Sequence, residues 1–262
     1  MSVMRDRINT FLKYKDLLRE LVVRDVKLKY RRSFLGYIWS ILNPLLIMIV
    51  MTLVFSQMFQ RGIDNFPVYL LTGNIMFEFV NSSTHMAMYS VLDNAALIKK
   101  IYVPKYIFTL ARITSAMVDL VFSLGALLLV MIVTRSQFHW HMLAIPVVIA
   151  QVYIFACGIG FILSAANVFF RDIQYIYNAF TVAWMYVTPI FYPIELLPDW
   201  LRWVVEHLNP MYYYIQHFRD LVCYGQLPSA YIFWGGWIIG IVMLAFGLFI
   251  FKKTQDNFIL YF

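Results

Sequence analysis

Residues 33–60 read SFLGYIWSILNPLLIMIVMTLVFSQMFQ, and none of these 28 side chains is charged. An α-helix needs roughly 20 mostly apolar residues to cross the ~30 Å hydrocarbon core of a bilayer. This stretch is long enough and apolar enough to predict a transmembrane helix, and it sets the class of fold for the rest of the chain.

The residues that follow repeat the same pattern. Glu78 is the only charged residue in 65–92 and Asp119 the only one in 113–134, and uncharged runs come after them. Over all 262 residues, 62% are apolar and 13% are charged, whereas soluble domains carry about a quarter charged residues. We therefore predict an all-α integral membrane protein. Its six spans are predicted at 33–60, 66–91, 105–134, 142–168, 173–194 and 230–251.

The basic residues predict how these spans are oriented. Of the 21 Lys and Arg residues, 17 lie in 1–34, in 92–112, at Arg171 or after the last span, all on one side of a six-span map. Loops rich in Lys and Arg stay in the cytoplasm, so we predict a plasma (inner) membrane protein with both termini cytoplasmic. We assign the net charge of +7 to topology and to anionic lipid heads, and expect no nucleic-acid partner.

Two segments outside the spans have amphipathic patterns. In residues 10–31, helical spacing puts the apolar side chains on one face and most of the charged, largely basic side chains elsewhere. This pattern predicts an interface helix on the cytoplasmic membrane surface. The outer connection at 191–225 follows Pro189 and contains further prolines, which interrupt helices. We predict short re-entrant helices there, between the fifth and sixth spans. No repeat or soluble linker divides the chain, so 1–262 are predicted to form one transmembrane domain.

Catalytic and nucleotide-binding patterns are absent from the sequence. No glycine is followed by Lys-Ser or Lys-Thr, and no carboxylate pair or Ser/His/Asp group has a plausible spacing. We expect no enzyme, and no metal or cofactor site, in this chain. Glu78 and Asp119 are costly inside a bilayer unless they are paired. Arg112, two helical turns before Asp119, is the predicted partner on its face; a role of either carboxylate in proton coupling is the alternative.

Several stretches, in order along the chain, resemble the membrane permeases of type-2 ATP-binding-cassette exporters. The resemblance is to the branch that exports O-antigen, capsule and teichoic-acid polymers. It implies a homodimer that works with two copies of a separate ATPase, which would hold the ATP and magnesium. The stretches are RDVKLKYRRSFLGYIWSILNPLL (24–46), LIKKIYVPKYIFTLARI (97–113), NVFFRDIQYIYN (167–178), TPIFYPIELLP (188–198) and NPMYYYIQHFRD (209–220).

A permease without a nucleotide site has to be driven through its cytoplasmic surfaces. Residues 95–102 are predicted to form a short helix whose apolar side packs back while its lysines meet a partner. The resemblance implies that this loop, with the turn after the fourth span, contacts the ATPase; topology signals alone are the other interpretation of the lysines. The coupling residues are predicted to be Leu97, Ile98, Lys99, Lys100, Ile101, Tyr102, Arg171 and Asp172.

Aromatic residues indicate a path for a sugar polymer. Residues 169–192 contain nine of them, and four follow helical offsets of 0, 3, 7 and 14. Sugar rings stack on aromatic faces without a fixed sequence readout, although membrane-interface belts and packing explain the same pattern. The predicted path residues are Tyr37, Trp39, Tyr177, Phe180, Trp184 and Phe191.

Three basic residues lie where the surface helix meets the first span. Lys29, Arg31 and Arg32 are predicted to attract the diphosphate of a lipid-linked substrate, because guanidinium and ammonium groups match phosphate oxygens. Anchoring to ordinary lipid heads is the alternative for all three.

Together these features predict a permease half-subunit for lipid-linked polysaccharide. Two alternatives have the same span pattern: a type-2 permease for a drug or small amphiphile, and a proton-coupled transporter. A membrane glycosyltransferase would need carboxylates at a membrane face, which the sequence does not supply. The sugars and the lipid carrier are not encoded in any motif.

Overall fold

The computed structural model describes residues 13–30, 36–59, 63, 65–100 and 103–261, and the described chain is all-helical, as predicted. Arg31, Arg32, Ile101 and Tyr102 of the predicted sites lie outside the described residues. The α-helices are α1 (Lys15–Tyr30), α2 (Trp39–Phe59), α3 (Phe66–Asp93), α4 (Ala95–Ile98), α5 (Tyr106–Val133), α6 (Ile145–Phe169), α7 (Ile173–Val187), α8 (Asp199–Leu208), α9 (Pro210–Val222) and α10 (Ala230–Thr254). Short 3-10 helices occur at Gly36–Ile38, Trp140–Ala144, Ile194–Leu196 and Gln255–Tyr261.

Four helical segments in the described part of the chain are long and apolar enough to cross a membrane. They are Gly36–Phe55, Tyr106–Val133, Trp140–Phe169 and Ala230–Tyr261, with mean hydropathies between 2.1 and 2.5. Each overlaps one of the six predicted spans. Their apolar side chains stay largely exposed on the protomer, which is expected when the surrounding solvent is lipid.

The second and fifth predicted spans, α3 and α7, are not among these four segments. α3 has 28 residues, which gives a length of about 42 Å, but Glu78 and several polar residues lower its hydropathy. α7 has 15 residues and ends at Val187, so the prediction of a helix over 173–194 is wrong at its C-terminal end. Pro189 lacks a backbone donor and disfavours a helical conformation of the residue before it, which explains why the helix does not continue.

The core is built around α3, which packs against α2, α5, α6 and α9. Its side chains are buried along most of its length, which is why polar residues such as Thr72, Ser83 and Ser90 are tolerated there. Each of these three hydroxyls donates to a carbonyl of its own helix. The long helix is therefore shielded from lipid by its neighbours.

Glycines set the close approach of α6 and α10. A Cβ atom at Gly158 of α6 would lie 2.5 Å from the backbone carbonyl carbon of Met243 in α10. A Cβ at Gly247 would collide with the backbone of Gly158. Small residues at facing positions let helix backbones touch, a packing mode that is common between membrane helices.

Candidate functional site

The predicted coupling loop forms the corner between α3 and α5. α4 covers only Ala95–Ile98, which is shorter than the predicted helix over 95–102. Ile98 is 7% exposed and packs into the core, while Lys99 and Lys100 are exposed in the turn that follows. Leu97 packs against the same core. The corner thus presents two ammonium groups outward from an apolar base.

The turn between α6 and α7 lies beside this corner. Arg171 and Asp172 are both exposed, and Arg171 lines a cavity of about 400 Å³ together with Asp93 and Ala95. Across the same cavity the Tyr89 hydroxyl donates to Gln174 Oε1 at 2.8 Å. The structure therefore brings the two predicted coupling elements together on one end of the bundle.

A group of ion pairs ties the interface helix α1 to this end. Asp25 is 8% exposed and lies 3.1 Å from Arg24 and 3.4 Å from Arg112. Arg112 also contacts Asp93 at 2.9 Å, while Arg24 donates to Asn94 at 3.4 Å. The predicted pairing of Arg112 with Asp119 is wrong, because tertiary packing brings two other carboxylates closer than the one on its own helix.

Asp119 instead pairs with the interface helix. Lys29 Nζ lies 2.8 Å from Asp119 Oδ2, and Ser40 donates to Oδ1 at 3.3 Å. Lys29, predicted to contact a diphosphate, therefore already has a carboxylate partner. Lys29 and Asp119 line a cavity of about 250 Å³ that also contains Glu78 and is lined mostly by apolar surface. The two carboxylates predicted inside spans thus share one cavity.

Three of the predicted path residues form a continuous stack on α7. The ring centroids of Tyr177 and Phe180 are 6.1 Å apart, and those of Phe180 and Trp184 are 5.4 Å apart. Phe180 is 52% exposed, whereas Tyr177 is 7% exposed and shares a 2.8 Å hydrogen bond with Thr84. The stack borders an apolar cavity of about 450 Å³ between α6, α7, α8 and α10.

Phe191 does not belong to this stack. Since α7 ends at Val187, the offset of 14 residues from Tyr177 no longer places Phe191 on the same helix face. It is 3% exposed and stacks on Phe55 of α2, with centroids 5.6 Å apart. Tyr37, in the 3-10 helix before α2, and Trp39, the first residue of α2, are 46% and 43% exposed. Four of the six path residues, Tyr37, Trp39, Phe180 and the half-buried Trp184, are thus accessible on this protomer.

Asn209 joins the end of α7 to the outer helices. Its Oδ1 accepts hydrogen bonds from Trp184 Nε1 at 2.8 Å and from the Met211 backbone at 3.1 Å. Its Nδ2 donates to Thr188 Oγ1 at 2.9 Å. Asn209 therefore caps α9 and holds the break after α7 at the same time.

Arg219 is a residue whose role the sequence did not predict. It is 2% exposed and donates from Nη1 to Pro189 O at 2.8 Å and from Nη2 to Ile190 O at 3.0 Å. Its guanidinium carbon lies 3.5 Å from the centre of the Tyr69 ring. Arg219 thus binds carbonyls that the interruption of α7 leaves without helical partners. Gln216, His217 and Asp220 lie beside it in the sequence, so the local pattern did not single out Arg219.

His217 is the other buried polar residue of α9. It is 1% exposed, and its Nδ1 lies 2.8 Å from Gln151 Oε1. Burial lowers the pKa of His217 to about 4, so the ring is neutral near pH 7. Burial also raises the pKa of the nearby Asp220, whose carboxylate accepts from Gln216 and Gln226. His217 therefore holds α9 to α6 by a hydrogen bond of its neutral ring, and Asp220 accepts hydrogen bonds from two amide side chains.

Comparison with known proteins agrees with the resemblance to type-2 ATP-binding-cassette permeases over most of the chain. The profile described as ABC-2 type transporter matches residues 16–222. The O-antigen export system permease protein RfbA of Myxococcus xanthus is 28% identical over 252 residues, which cover 96% of this chain and 97% of the relative. An RfbA of Klebsiella pneumoniae is 29% identical over 245 residues, 93% of each chain. The polysialic acid transport protein KpsM of Escherichia coli is 22% identical over 247 residues, 92% of this chain and 95% of the relative.

Proposed function

Because this chain belongs to the ABC-2 type transporter family, we propose that it is the permease half-subunit of an ATP-driven exporter of lipid-linked polysaccharide. The observation that carries this proposal is the end-to-end similarity to relatives named as O-antigen and polysialic acid exporters. The aromatic stack on α7, in which Phe180 is exposed, supports it, because aromatic faces would grip a sliding chain of sugar rings.

The proposed topology has six spans with both termini in the cytoplasm. α3 is long enough to cross and is covered by other helices, and α7 completes its crossing through the irregular residues held by Asn209 and Arg219. The short helices α8 and α9 would form the outer gate. Trp200 and Trp203 of α8 are 69% and 55% exposed, as expected for side chains at a membrane interface.

The proposed assembly is a homodimer with two copies of a separate ATPase, which would carry the ATP and magnesium. The segment Gly36–Phe55 supports the dimer, because only 6% of its apolar window is buried within the protomer. Its free face would meet the partner permease around a shared path. The ATPase would contact the α4 corner and the Arg171 turn, which border one cavity.

Substrate uptake is proposed at the junction of α1 and α2. Since Lys29 is held by Asp119, diphosphate binding would depend on Arg31 and Arg32 or on release of this ion pair. The lipid-linked polymer would then pass along Tyr37, Trp39 and the α7 stack. ATP-driven closure of the partner subunits would press on α1 and α4 to open that path.

The proposal is tested by co-expressing the chain with its ATPase, reconstituting the complex in proteoliposomes and measuring ATP-dependent accumulation of lipid-linked polymer. Transport should stop when the catalytic glutamate of the ATPase is replaced. A drug exporter would instead show ATPase stimulation by drugs and not by polymer. A proton-coupled transporter would move cargo without ATP and lose activity when the proton gradient is collapsed.

A second experiment tests the path. Phe180→Ala should lower polymer transport, because Phe180 is the most exposed ring of the stack. The matched control is Phe246→Ala on α10, since Phe246 is also 52% exposed but does not line the cavity beside the stack. Equal transport by both variants, with intact assembly, would contradict the aromatic path.

The coupling surface is tested by charge reversal. Lys99→Glu with Lys100→Glu should weaken co-purification of the ATPase. Lys252→Glu with Lys253→Glu, on the exposed lysines that end α10, is the control with the same change of charge. Equal recovery of the ATPase from both pairs would argue against docking at α4.

A further inference from the structure

The residues that follow α10 form a short segment packed against the helix bundle. This segment, Gln255–Tyr261, is a 3-10 helix of 7 residues. Runs of 3-10 helix longer than about three or four residues are uncommon, because their hydrogen bonds have poor geometry. Contacts with the rest of the protein therefore have to hold the segment in place. We call Gln255–Tyr261 the strap.

Phe258 anchors the strap at the end of α6. Its side chain is fully buried, whereas the residues on either side of it, 256–257 and 259–261, are exposed. The Phe258 ring lies edge-on to Phe169, the last residue of α6, and to Phe251 of α10, with centroid distances of 5.8 and 5.4 Å. Tyr261 makes a second contact with Phe169, with the ring centroids 4.8 Å apart. Edge-to-face pairs at such distances add to the gain from burial, so these rings dock the strap on α6.

Lys105 anchors the same strap at the start of α5. Its Nζ donates a hydrogen bond to the backbone oxygen of Gln255 and lies 5.6 Å from the centre of the Phe258 ring. An ammonium group at this distance from an aromatic face is attracted by the ring. Because Lys105 immediately precedes α5, the strap joins the start of α5 to the end of α6.

Both anchor points lie close in sequence to the elements proposed to contact the ATPase. Lys105 is five residues after Lys100 of the α4 corner, and Phe169 is two residues before Arg171. While the strap is docked, these ends of α5 and α6 cannot separate without breaking the contacts of Phe258. We propose that Phe258 and Lys105 are positioning residues for coupling, which make a displacement of either coupling element move α5 and α6 together. This inference rests on the proposed function, because it requires an ATPase that pushes on these elements.

Coupling and simple anchoring by the strap predict different results. If the strap only adds stability, its loss should lower polymer transport and ATP hydrolysis in the same proportion. If it positions the two coupling elements, ATP hydrolysis should continue while less polymer moves per ATP. The quantity to measure is therefore the ratio of polymer transported to ATP hydrolysed, in proteoliposomes that contain the permease with its ATPase.

Phe258→Ala is the first test. Full burial of a Phe side chain shifts a docking equilibrium by roughly tenfold to a hundredfold, so this variant should release the strap and lower transport per ATP severalfold. The matched control is Leu260→Ala in the same strap, because Leu260 is 79% exposed and its loss should leave the ratio unchanged. A wild-type ratio in Phe258→Ala, or an equal loss of transport and ATP hydrolysis, would overturn the inference.

Two substitutions at Lys105 give an independent test that keeps the buried ring. Lys105→Met retains the apolar stem but removes the donor to Gln255 and the charge over Phe258, so it should lower the ratio. Lys105→Arg retains a cation that donates hydrogen bonds and stacks on aromatic rings, so it should preserve the ratio. This pair decides if Phe258→Ala fails to assemble with the ATPase. Equal ratios in the two Lys105 variants would contradict the proposal.

Hydrogen exchange shows whether the strap acts on both coupling elements, independently of any cargo. In phosphatidylcholine nanodiscs, Phe258→Ala should speed exchange in the strap, in residues 95–105 and in residues 167–175, because local opening becomes easier in all three. Leu260→Ala should match wild type. Faster exchange in the strap alone, or in none of the three segments, would show that the strap does not hold the coupling elements and would overturn the inference.

Transport by the wild-type protein separates this inference from the proposed function. If the wild-type complex exports polymer and Phe258→Ala exports as much per ATP, only the role of the strap in coupling fails. If the wild-type complex moves no polymer while Phe258→Ala still loosens both coupling segments, the proposed function fails. The strap would then stand as the element that holds α5 and α6 together.

Discussion

Replacing Arg219 by Met should loosen the outer segment more than the rest of the molecule. The variant keeps the apolar stem but removes the donors to Pro189 O at 2.8 Å and Ile190 O at 3.0 Å. Both carbonyls would then be buried without partners, each at a cost of about 1–3 kcal/mol. With the loss of the contact over the Tyr69 ring, we expect a total of about 3–5 kcal/mol, similar to breaking a buried ion pair.

The two free cysteines provide the assay. Cys157 is buried in α6, while Cys223 follows α9 and is half-buried. Burial raises the pKa of the Cys223 thiol, so it reacts slowly with thiol-specific dyes at neutral pH while the segment is folded. In a Cys157→Ser background, Arg219→Met should speed labelling of Cys223. In a Cys223→Ser background, Cys157 should be labelled only on global unfolding. Arg219→Met should lower the midpoint temperature of this labelling by roughly 10 °C.

Arg202→Met is the control, because within the described residues Arg202 pairs with Glu206 alone, both on α8, and its side chain is 44% exposed. It should change neither the labelling rate nor the midpoint. The reasoning is refuted if Arg219→Met labels Cys223 at the wild-type rate and melts within a degree or two of wild type. The carbonyls after α7 would then not depend on the guanidinium.

Three further predictions concern other parts of the fold. Gly158→Ala should destabilise the protein by about 1–3 kcal/mol in thermal unfolding, because the added Cβ collides with α10. Gly125→Ala, which has open space around it, should be neutral or stabilising. Asp25→Asn should raise hydrogen exchange in α1, because it removes the carboxylate between Arg24 and Arg112; unchanged exchange would contradict that role. His217 has a pKa of about 4 in the folded protein against an ordinary 6.5, so the stability it contributes is present above pH 6.5 and is lost as the pH falls towards 4. His217→Gln should flatten the dependence of unfolding free energy on pH in this range.

Composition and uncharged runs were enough to predict the class of fold. A run such as 33–60 is too long and too apolar to fit anything but a bilayer, and the four most apolar segments were predicted from their lack of charged residues. α3 was predicted from its single charge, although its hydropathy is lowered by residues that neighbouring helices cover. The end of α7 was predicted too late, because the count of apolar residues ignored the effect of Pro189 on the residue before it.

Pairings between distant residues could not be predicted in the same way. The choice of Arg112 for Asp119 used spacing within one helix, but Asp25 and Asp93 reach Arg112 through packing that only the tertiary structure sets. The sequence did not single out Arg219, since nothing in its neighbouring residues indicates that its acceptors are carbonyls about 30 residues away. Residue types predicted the location of the candidate sites, and packing decided the partners.

The contacts of α7 explain how force at one end of the proposed exporter would reach the other. Gln174, beside the Arg171 turn, is bound by Tyr89 of α3, and Trp184, near the other end, is bound to Asn209 of the outer segment. The 15-residue helix between them is about 22 Å long and has no proline to absorb a displacement. A push on the turn would therefore move the Trp184–Asn209 contact together with the aromatic stack. Because Asn209 also caps α9, the same movement would act on the outer helices. The aromatic stack that grips the polymer and the outer gate of α8 and α9 would therefore move together.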